Sequence, residues 1–132
     1  MKFFAAVLIA GLLVSITRAQ TAVVPAPLQS LTKAWADTIN AGNLEGWLNL
    51  HATDVDYADY TYWVGKSRTE MRRWGAAIIN ANGRFTITSS RMQGDTLIWL
   101  LEYRDSGFAN RSQALITVNN GLISKLVIGS RP

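Results

Sequence analysis

The 132-residue chain has no cysteine, three prolines and a single histidine, and these scarcities exclude several classes of protein. Without cysteine the fold has no disulfide bonds, and the N-terminus cannot carry a lipid-modified cysteine. A conventional zinc site built on His51 would need three carboxylates, so we expect neither a metal nor a cofactor. Hydrophobic residues make up 48% of the chain and include five tryptophans, which predicts one globular domain held by its core.

The excess of positive over negative charge is also small. The formal net charge is +4, and it falls to +2 if Lys2 and Arg18 are removed with the N-terminal segment. The remaining basic residues are scattered, with no run and no aromatic interleaving. We therefore expect no nucleic-acid partner.

Residues 1–19 have the pattern of a secretory signal peptide. Lys2 precedes an apolar stretch over 3–16, and Ala19 ends a small-residue cleavage region. The stretch is short for a membrane span, which needs roughly 20 residues. We expect cleavage after Ala19, a secreted or periplasmic protein, and no stable membrane insertion afterwards. Residues 20–27 are predicted to form an extended tether because of their two prolines, and 28–132 to form the domain.

Apolar residues three and four positions apart predict three helices in this domain. The first begins at Leu28 and ends at Gly42, and a short second one is capped by Asn43. Ser67 and Glu70 form a capping box that opens the third helix, with each side chain satisfying a backbone N–H at the helix start.

From residue 84 onwards, alternating apolar and polar residues predict four antiparallel strands. Helices followed by strands indicate an α+β domain, in which a curved sheet wraps around three helices. The strand over 97–104 is apolar on both faces, so both faces are expected to be covered. One face meets the helices, and the other is predicted to form a homodimer through the sheet.

One further strand, over 51–59, precedes the third helix and ends in an acidic residue. Its alternation places Val55, Tyr57 and Asp59 on one face, and Asp54 and Asp56 on the other. An aspartate that ends an apolar face is either the solvated end of a strand or a carboxylate directed into a cavity. The residues themselves leave both interpretations open.

The segments WADTINAGNLEGW (35–47) and HATDVDYAD (51–59) resemble the NTF2-like superfamily, in particular its SnoaL-like and ketosteroid-isomerase-like members. The resemblance extends over residues 28–128. It implies a cone-shaped α+β fold with a pocket between the sheet and the helices, and it puts Asp59 at the position of the isomerase's general base. The superfamily contains isomerases, dehydratases, cyclases, epoxide hydrolases and non-catalytic binders, so the resemblance does not fix an activity.

The sequence departs from the isomerase at three positions. Trp35 stands where the resemblance implies a donor tyrosine, and the second donor falls near Gln113 or Ala114, where no aspartate is present. Tyr60 replaces the proline that usually follows the base. We therefore do not expect the isomerase's own reaction.

The resemblance implies a pocket for a small hydrophobic molecule, with Asp59 as general base and His51 and Tyr57 as candidate catalytic partners. His51 has a second interpretation, a hydrogen-bonded imidazole in the core. An epoxide-hydrolase-type network of Asp59, Arg104 and Glu102 is a further alternative. A non-catalytic ligand-binding or dimeric assembly domain, its pocket filled by aromatic side chains, is the other class of function. The candidate ligand-binding residues are Trp35, Tyr62, Trp63, Trp74, Trp99 and Tyr103.

Overall fold

The computed structural model describes residues 23–130, so the predicted signal peptide and its cleavage site lie outside the described residues. Three helices and six strands occur in this part of the chain. They are α1 (Ala26–Asn40), α2 (Leu44–Leu48), β1 (His51–Asp59), β2 (Trp63–Gly65), α3 (Arg68–Asn80), β3 (Arg84–Gln93), β4 (Thr96–Arg104), β5 (Ala109–Asn119) and β6 (Leu122–Ser130). None of these helices is long and apolar enough to cross a membrane.

The strands form one curved, open sheet in the order β2-β1-β6-β5-β4-β3, with the three helices packed against it. The predicted α+β class is confirmed. Neighbouring strands run antiparallel except β1 and β6, which are parallel. This parallel pair joins the strand that precedes α3 to the last strand of the chain, and it brings the end of β1 beside Ile128.

The helices bury the apolar stripes that their spacing predicts. Trp35 and Ile39 of α1 and Trp74 of α3 are fully buried in the core. However, α1 begins at Ala26 and not at Leu28, so the extended segment is shorter than expected. Pro27 is tolerated because it lies in the first helical turn, where a backbone N–H has no partner within the helix.

The capping box at the start of α3 forms in a modified way. The Ser67 hydroxyl accepts from the backbone N–H of Glu70 at 3.0 Å, as predicted. The Glu70 carboxylate accepts from the N–H of Lys66, not from that of Ser67. The exchange still satisfies one backbone donor on each side of the helix start.

The sheet also contains a short strand, β2, for which the sequence gives no prediction. Its residues Trp63 to Gly65 pair with the end of β1. The inner face of β4, which meets the helices, carries Trp99 and Tyr103. Glu102 and Arg104 lie on the outer face.

Candidate functional site

A cavity of about 280 Å³ opens between α3, the end of β1 and the adjoining ends of β4 and β5. Its lining combines two carboxylates with seven aromatic side chains. None of the described residues that line it is Lys, Arg or His. They are Asp59, Tyr60, Tyr62, Trp63, Trp74, Ala77, Ile78, Ala81, Phe85, Tyr103, Asp105, Phe108, Asn110, Ser112 and Ile128.

Asp59 reaches this cavity because β1 buries one face. Val55 and Tyr57 on that face are in the core, and Asp59 is the next inward residue, beside Ile128 of β6 and Trp63 of β2. Burial raises the pKa of Asp59 from its ordinary 3.8 to about 6, and a hydrogen bond from Trp74 offsets part of that rise. The carboxyl group therefore changes its protonation state close to neutral pH, where a general base is useful.

Trp74 is held rigidly beside Asp59. Its ring stacks on Tyr57 with centroids 5.5 Å apart and an interplanar angle of 3°. The ring of Trp47 meets it edge-on at 5.4 Å. Contacts on two sides fix the direction of the indole N–H, so this donor is preorganised towards the carboxylate.

The residue after Asp59 has an unusual backbone conformation. Tyr60 has a φ of 54°, and its N–H donates to the carbonyl oxygen of Ile128 at 2.7 Å. Its ring packs against Gly129, at a bulge in β6. A proline cannot occupy this position, because its ring fixes φ near −65°.

The wall opposite β1 carries polar groups from β4, β5 and the turn between them. The Tyr103 hydroxyl donates to Asp105 Oδ2 at 2.9 Å, and the Gly107 N–H donates to Asp105 Oδ1 at 3.0 Å. These two hydrogen bonds lower the pKa of Asp105. Burial, reinforced by the hydrogen bond to Asp105, raises the pKa of Tyr103 to about 12. At neutral pH Tyr103 is thus a hydroxyl donor and Asp105 a carboxylate.

Ser112 adds a hydroxyl group to this wall. It lines the cavity, and only 2% of its surface is exposed. A hydroxyl that lines a cavity can donate a hydrogen bond to a molecule bound there or accept one from it. Ser112 is therefore available to hydrogen-bond a molecule in the cavity.

No protein-family model and no curated protein matches the sequence. Solved structures do match over most of the chain. An NTF2-like protein of unknown function from Cytophaga hutchinsonii aligns with a TM-score of 0.65 at 10% identity, covering 76% of this chain and 87% of its own. The chain has the NTF2-like fold. The resemblance found in the sequence is confirmed at this level.

Two further structures share the NTF2-like fold. A computationally designed binder of 17-OHP aligns with a TM-score of 0.71 at 20% identity, over 82% of this chain and 93% of its own. A hypothetical protein from Catenulispora acidiphila, with a ketosteroid isomerase-like fold and in complex with trimethylamine, aligns with a TM-score of 0.67 at 21% identity. The alignment covers 83% of this chain and 88% of that protein.

Five of the nine candidate residues come together at the pocket of this NTF2-like fold, and four do not. Those at the pocket are Asp59, Tyr62, Trp63, Trp74 and Tyr103. Those that lie elsewhere in the core are Trp35, His51, Tyr57 and Trp99. The Tyr57 hydroxyl lies beside Gly65 and Glu70, away from the pocket lining.

His51 lies at the opposite end of β1, roughly 25 Å along the strand from Asp59 at about 3.3 Å per residue. Its Nε2 accepts from the Trp35 indole N–H at 3.0 Å, and its Nδ1 lies 2.9 Å from the Trp47 carbonyl oxygen. Burial lowers the pKa of His51 to about 4, so the ring is neutral. This geometry corresponds to the interpretation of His51 as a hydrogen-bonded imidazole in the core. His51 is too far from Asp59 to form a proton relay with it.

The donors of the isomerase are absent from this pocket. The Trp35 N–H is engaged by His51, and Ala114 is an apolar buried residue. Trp99 donates to the Thr32 hydroxyl at 2.9 Å, inside the core. The pocket is therefore not filled by Trp35 or Trp99.

The epoxide-hydrolase-type network does not assemble. Glu102 and Arg104 project from the outer face of the sheet, where Glu102 pairs with Arg111 at 3.1 Å. Asp59 lies on the inner face. Between residues 23 and 130, no group of three or more His, Asp and Glu side chains could hold a metal ion.

Sequence reasoning missed the polar wall that Asp105, Asn110 and Ser112 form. One signal was available for Asp105. It begins the turn two residues after Tyr103, an inward residue, so its side chain follows directly from the pocket face. Ser112 had no signal, because a serine within a strand is common on either face.

Proposed function

We propose that this protein binds a small, largely apolar molecule in the Asp59 pocket and that Asp59 acts on it as a general base. The observation that carries this proposal is a half-buried carboxyl group that faces a cavity and has no basic side chain beside it among the described lining residues. Such a group is unfavourable for folding, and its use in binding or proton transfer explains its presence.

The chemistry follows from the groups in the pocket. Above about pH 6 Asp59 is ionised and can accept a proton from a carbon next to a carbonyl group. The Trp74 N–H holds the carboxylate in place. The Ser112 hydroxyl and the Asn110 amide line the cavity, so they can donate to a ligand oxygen. The aromatic side chains offer apolar surface to the body of the ligand.

The structural relatives support a ligand pocket without naming its ligand. One was designed to bind 17-OHP and another was solved with trimethylamine, so this fold accommodates quite different small molecules. At 20% and 21% identity, neither ligand transfers to this chain.

A ligand screen followed by proton exchange tests the proposal. The mature protein is screened by thermal shift against small hydrophobic carbonyl compounds, and each binder is incubated in D₂O. We expect deuterium at the carbon next to the carbonyl group, seen by NMR, with wild type and with the exposed control Asp56→Asn. Asp59→Asn should bind and not exchange. Exchange that survives in Asp59→Asn would show that another group is the base.

The second candidate is a non-catalytic ligand-binding domain. It is favoured by the donors that are already engaged: Trp35 donates to His51, and Tyr103 donates to Asp105. Such a protein binds the same ligands in the thermal-shift screen, but wild type catalyses no exchange above the rate in buffer.

We also propose export and dimerisation. A mass shortened by residues 1–19 after expression in a bacterial host, together with recovery outside the cytoplasm, is the test of export. For the dimer, the support is an apolar row across the outer face of the sheet. Pairing aligns Val64, Ala58, Val127, Leu115 and Ile98 on neighbouring strands. Val64 and Leu115 expose 63% and 37% of their surfaces, so a second copy could bury them.

A further inference from the structure

The Asp59 pocket has an unusual balance of charge for an apolar site. Asp59 and Asp105 both line it, and none of its described lining residues carries a positive charge. Asp105 is held as a carboxylate by the Gly107 N–H and the Tyr103 hydroxyl. The cavity therefore lies beside two carboxylates with no basic side chain among its described lining residues, and this disfavours an anionic ligand.

Aromatic side chains line the Asp59 pocket on two sides. Tyr60 and Tyr62, at the turn after β1, have ring centroids 6.4 Å apart and tilted by 49°. Tyr103, near the end of β4, and Phe108, in the turn after it, have ring centroids 6.3 Å apart and tilted by 47°. Phe108 exposes 55% of its surface at the rim. Aromatic rings that line a cavity beside carboxylates allow cation–π attraction and charge pairing to act on the same ligand.

The Ser112 hydroxyl is a third group that can contact a ligand. Its side chain is almost fully buried and lines the cavity, so a ligand hydroxyl or carbonyl group can form a hydrogen bond with it. The cavity of about 280 Å³ lies just below the usual range for drug-sized ligands, which suits a compact molecule.

We infer that this pocket selects a small organic cation, an alkylammonium head group carrying a hydroxyl or carbonyl group, over neutral or anionic molecules of the same shape. The inference rests on the proposed function of the pocket and specifies its ligand class. The ammonium group lies between the carboxylate of Asp59 and the aromatic faces, and the polar end of the ligand meets Ser112.

A matched pair of probes tests the charge preference. Choline and 3,3-dimethylbutan-1-ol have the same shape and differ in the central atom, which is a charged nitrogen in one and a neutral carbon in the other. Titration calorimetry at low salt measures both against the mature protein. We expect choline to bind at least about tenfold more tightly, because both charge pairing and cation–π attraction favour it.

Variants then assign the preference to the pocket. Asp59→Asn should weaken choline binding about tenfold and leave the alcohol unchanged, because only the charge is removed. Phe108→Leu, at an exposed rim position, should weaken choline a few-fold with little effect on the alcohol. Asp56→Asn, on the exposed face of β1, should change neither affinity.

The outcomes separate this inference from the proposed function. If the alcohol or neutral carbonyl compounds bind as tightly as choline, the charge preference is wrong and the pocket proposal stands. If choline binds but neither Asp59→Asn nor Phe108→Leu weakens it, the cation occupies another place and the inference is wrong. If neither probe binds and the carbonyl screen also fails, both proposals are wrong.

Discussion

Replacing Asp59 with asparagine removes a charge that burial disfavours, while it keeps the size of the side chain and an acceptor for the Trp74 N–H. Because burial raises the pKa of Asp59 from 3.8 to about 6, the folded protein holds the proton more tightly than the unfolded chain. The carboxyl group therefore opposes folding increasingly as the pH rises from about 4 to 6, and fully above that. We expect Asp59→Asn to be more stable than wild type at neutral pH.

The size of the gain follows from the pKa difference. The rise from 3.8 to about 6 corresponds to an upper limit of about 3 kcal/mol in the free energy of unfolding. Asp59 is only half buried, so solvent screening reduces this to about 1–2 kcal/mol at pH 8. At pH 4.5 the folded protein is largely protonated at this position, and about a third of the gain should remain.

His51 acts in the opposite direction and should become visible in the variant. Burial lowers its pKa from 6.5 to about 4, so the unfolded chain binds the additional proton in that interval. The contribution of neutral His51 to the free energy of unfolding is fully present above pH 6.5. It is lost as the pH falls towards 4, and the total loss is about 3 kcal/mol. In wild type the Asp59 and His51 contributions oppose each other, which flattens the pH dependence. Without Asp59, stability should fall more steeply on acidification.

Urea unfolding followed by tryptophan fluorescence at pH 4.5, 6.5 and 8 measures these effects. The difference between pH 8 and pH 4.5 is the decisive quantity, because any change in packing contributes equally at both. Asp56→Asn, at an exposed position of the same strand, is the control and should show no comparable difference. A gain that is the same at both pH values, or a loss at pH 8, would refute the reasoning.

Three further predictions concern other contacts. Trp74→Phe keeps the stacked ring but loses the N–H, so the pKa of Asp59 should rise above 6 in a carbon-13 NMR titration; an unchanged pKa would contradict it. His51→Leu leaves the Trp35 N–H without an acceptor and should reduce the free energy of unfolding by about 2–4 kcal/mol in urea, whereas a neutral effect would mean that the bond contributes little. Leu115→Arg places a charge in the outer apolar row and should convert a dimer into a monomer by sedimentation; a monomeric wild type would refute the dimer itself.

The sequence predicted much of the fold because its signals are local. Helix stripes, the Ser67 cap and the alternation of strands each depend on neighbouring residues, and the structure retains them. The pairing of β1 with β6 is different. It joins segments more than sixty residues apart and runs parallel, and nothing in the spacing of either strand specifies it. β2 was missed because three residues are too few to show an alternation.

The residues of the pocket likewise fall into those that the sequence could predict and those that it could not. Asp59 was predicted from the alternation of its own strand together with the family resemblance. Aromatic residues could not be assigned from sequence to pocket or core, because both environments favour large apolar side chains. Trp74 lies at the pocket and Trp35 does not, and only the three-dimensional packing of α1 and α3 decides this. Asp105 and Ser112 line the same cavity as residues of α3, and this depends on how the whole sheet packs against the helices.

The end of β1 combines two features that oppose folding in adjacent residues. Asp59 is a half-buried carboxyl group, and Tyr60 adopts a left-handed backbone at a φ of 54°, which costs of order 1 kcal/mol for a residue of this kind. His51, at the other end of the same strand, has both ring nitrogens within hydrogen-bond distance of partners. Asparagine at 59 and glycine at 60 would relieve both unfavourable features without altering the core. Unfavourable features confined to the pocket end of an otherwise well-satisfied strand are expected where side chains are positioned for a ligand. Stability alone does not account for Asp59 and Tyr60, whereas the proposed binding of a ligand in the pocket does.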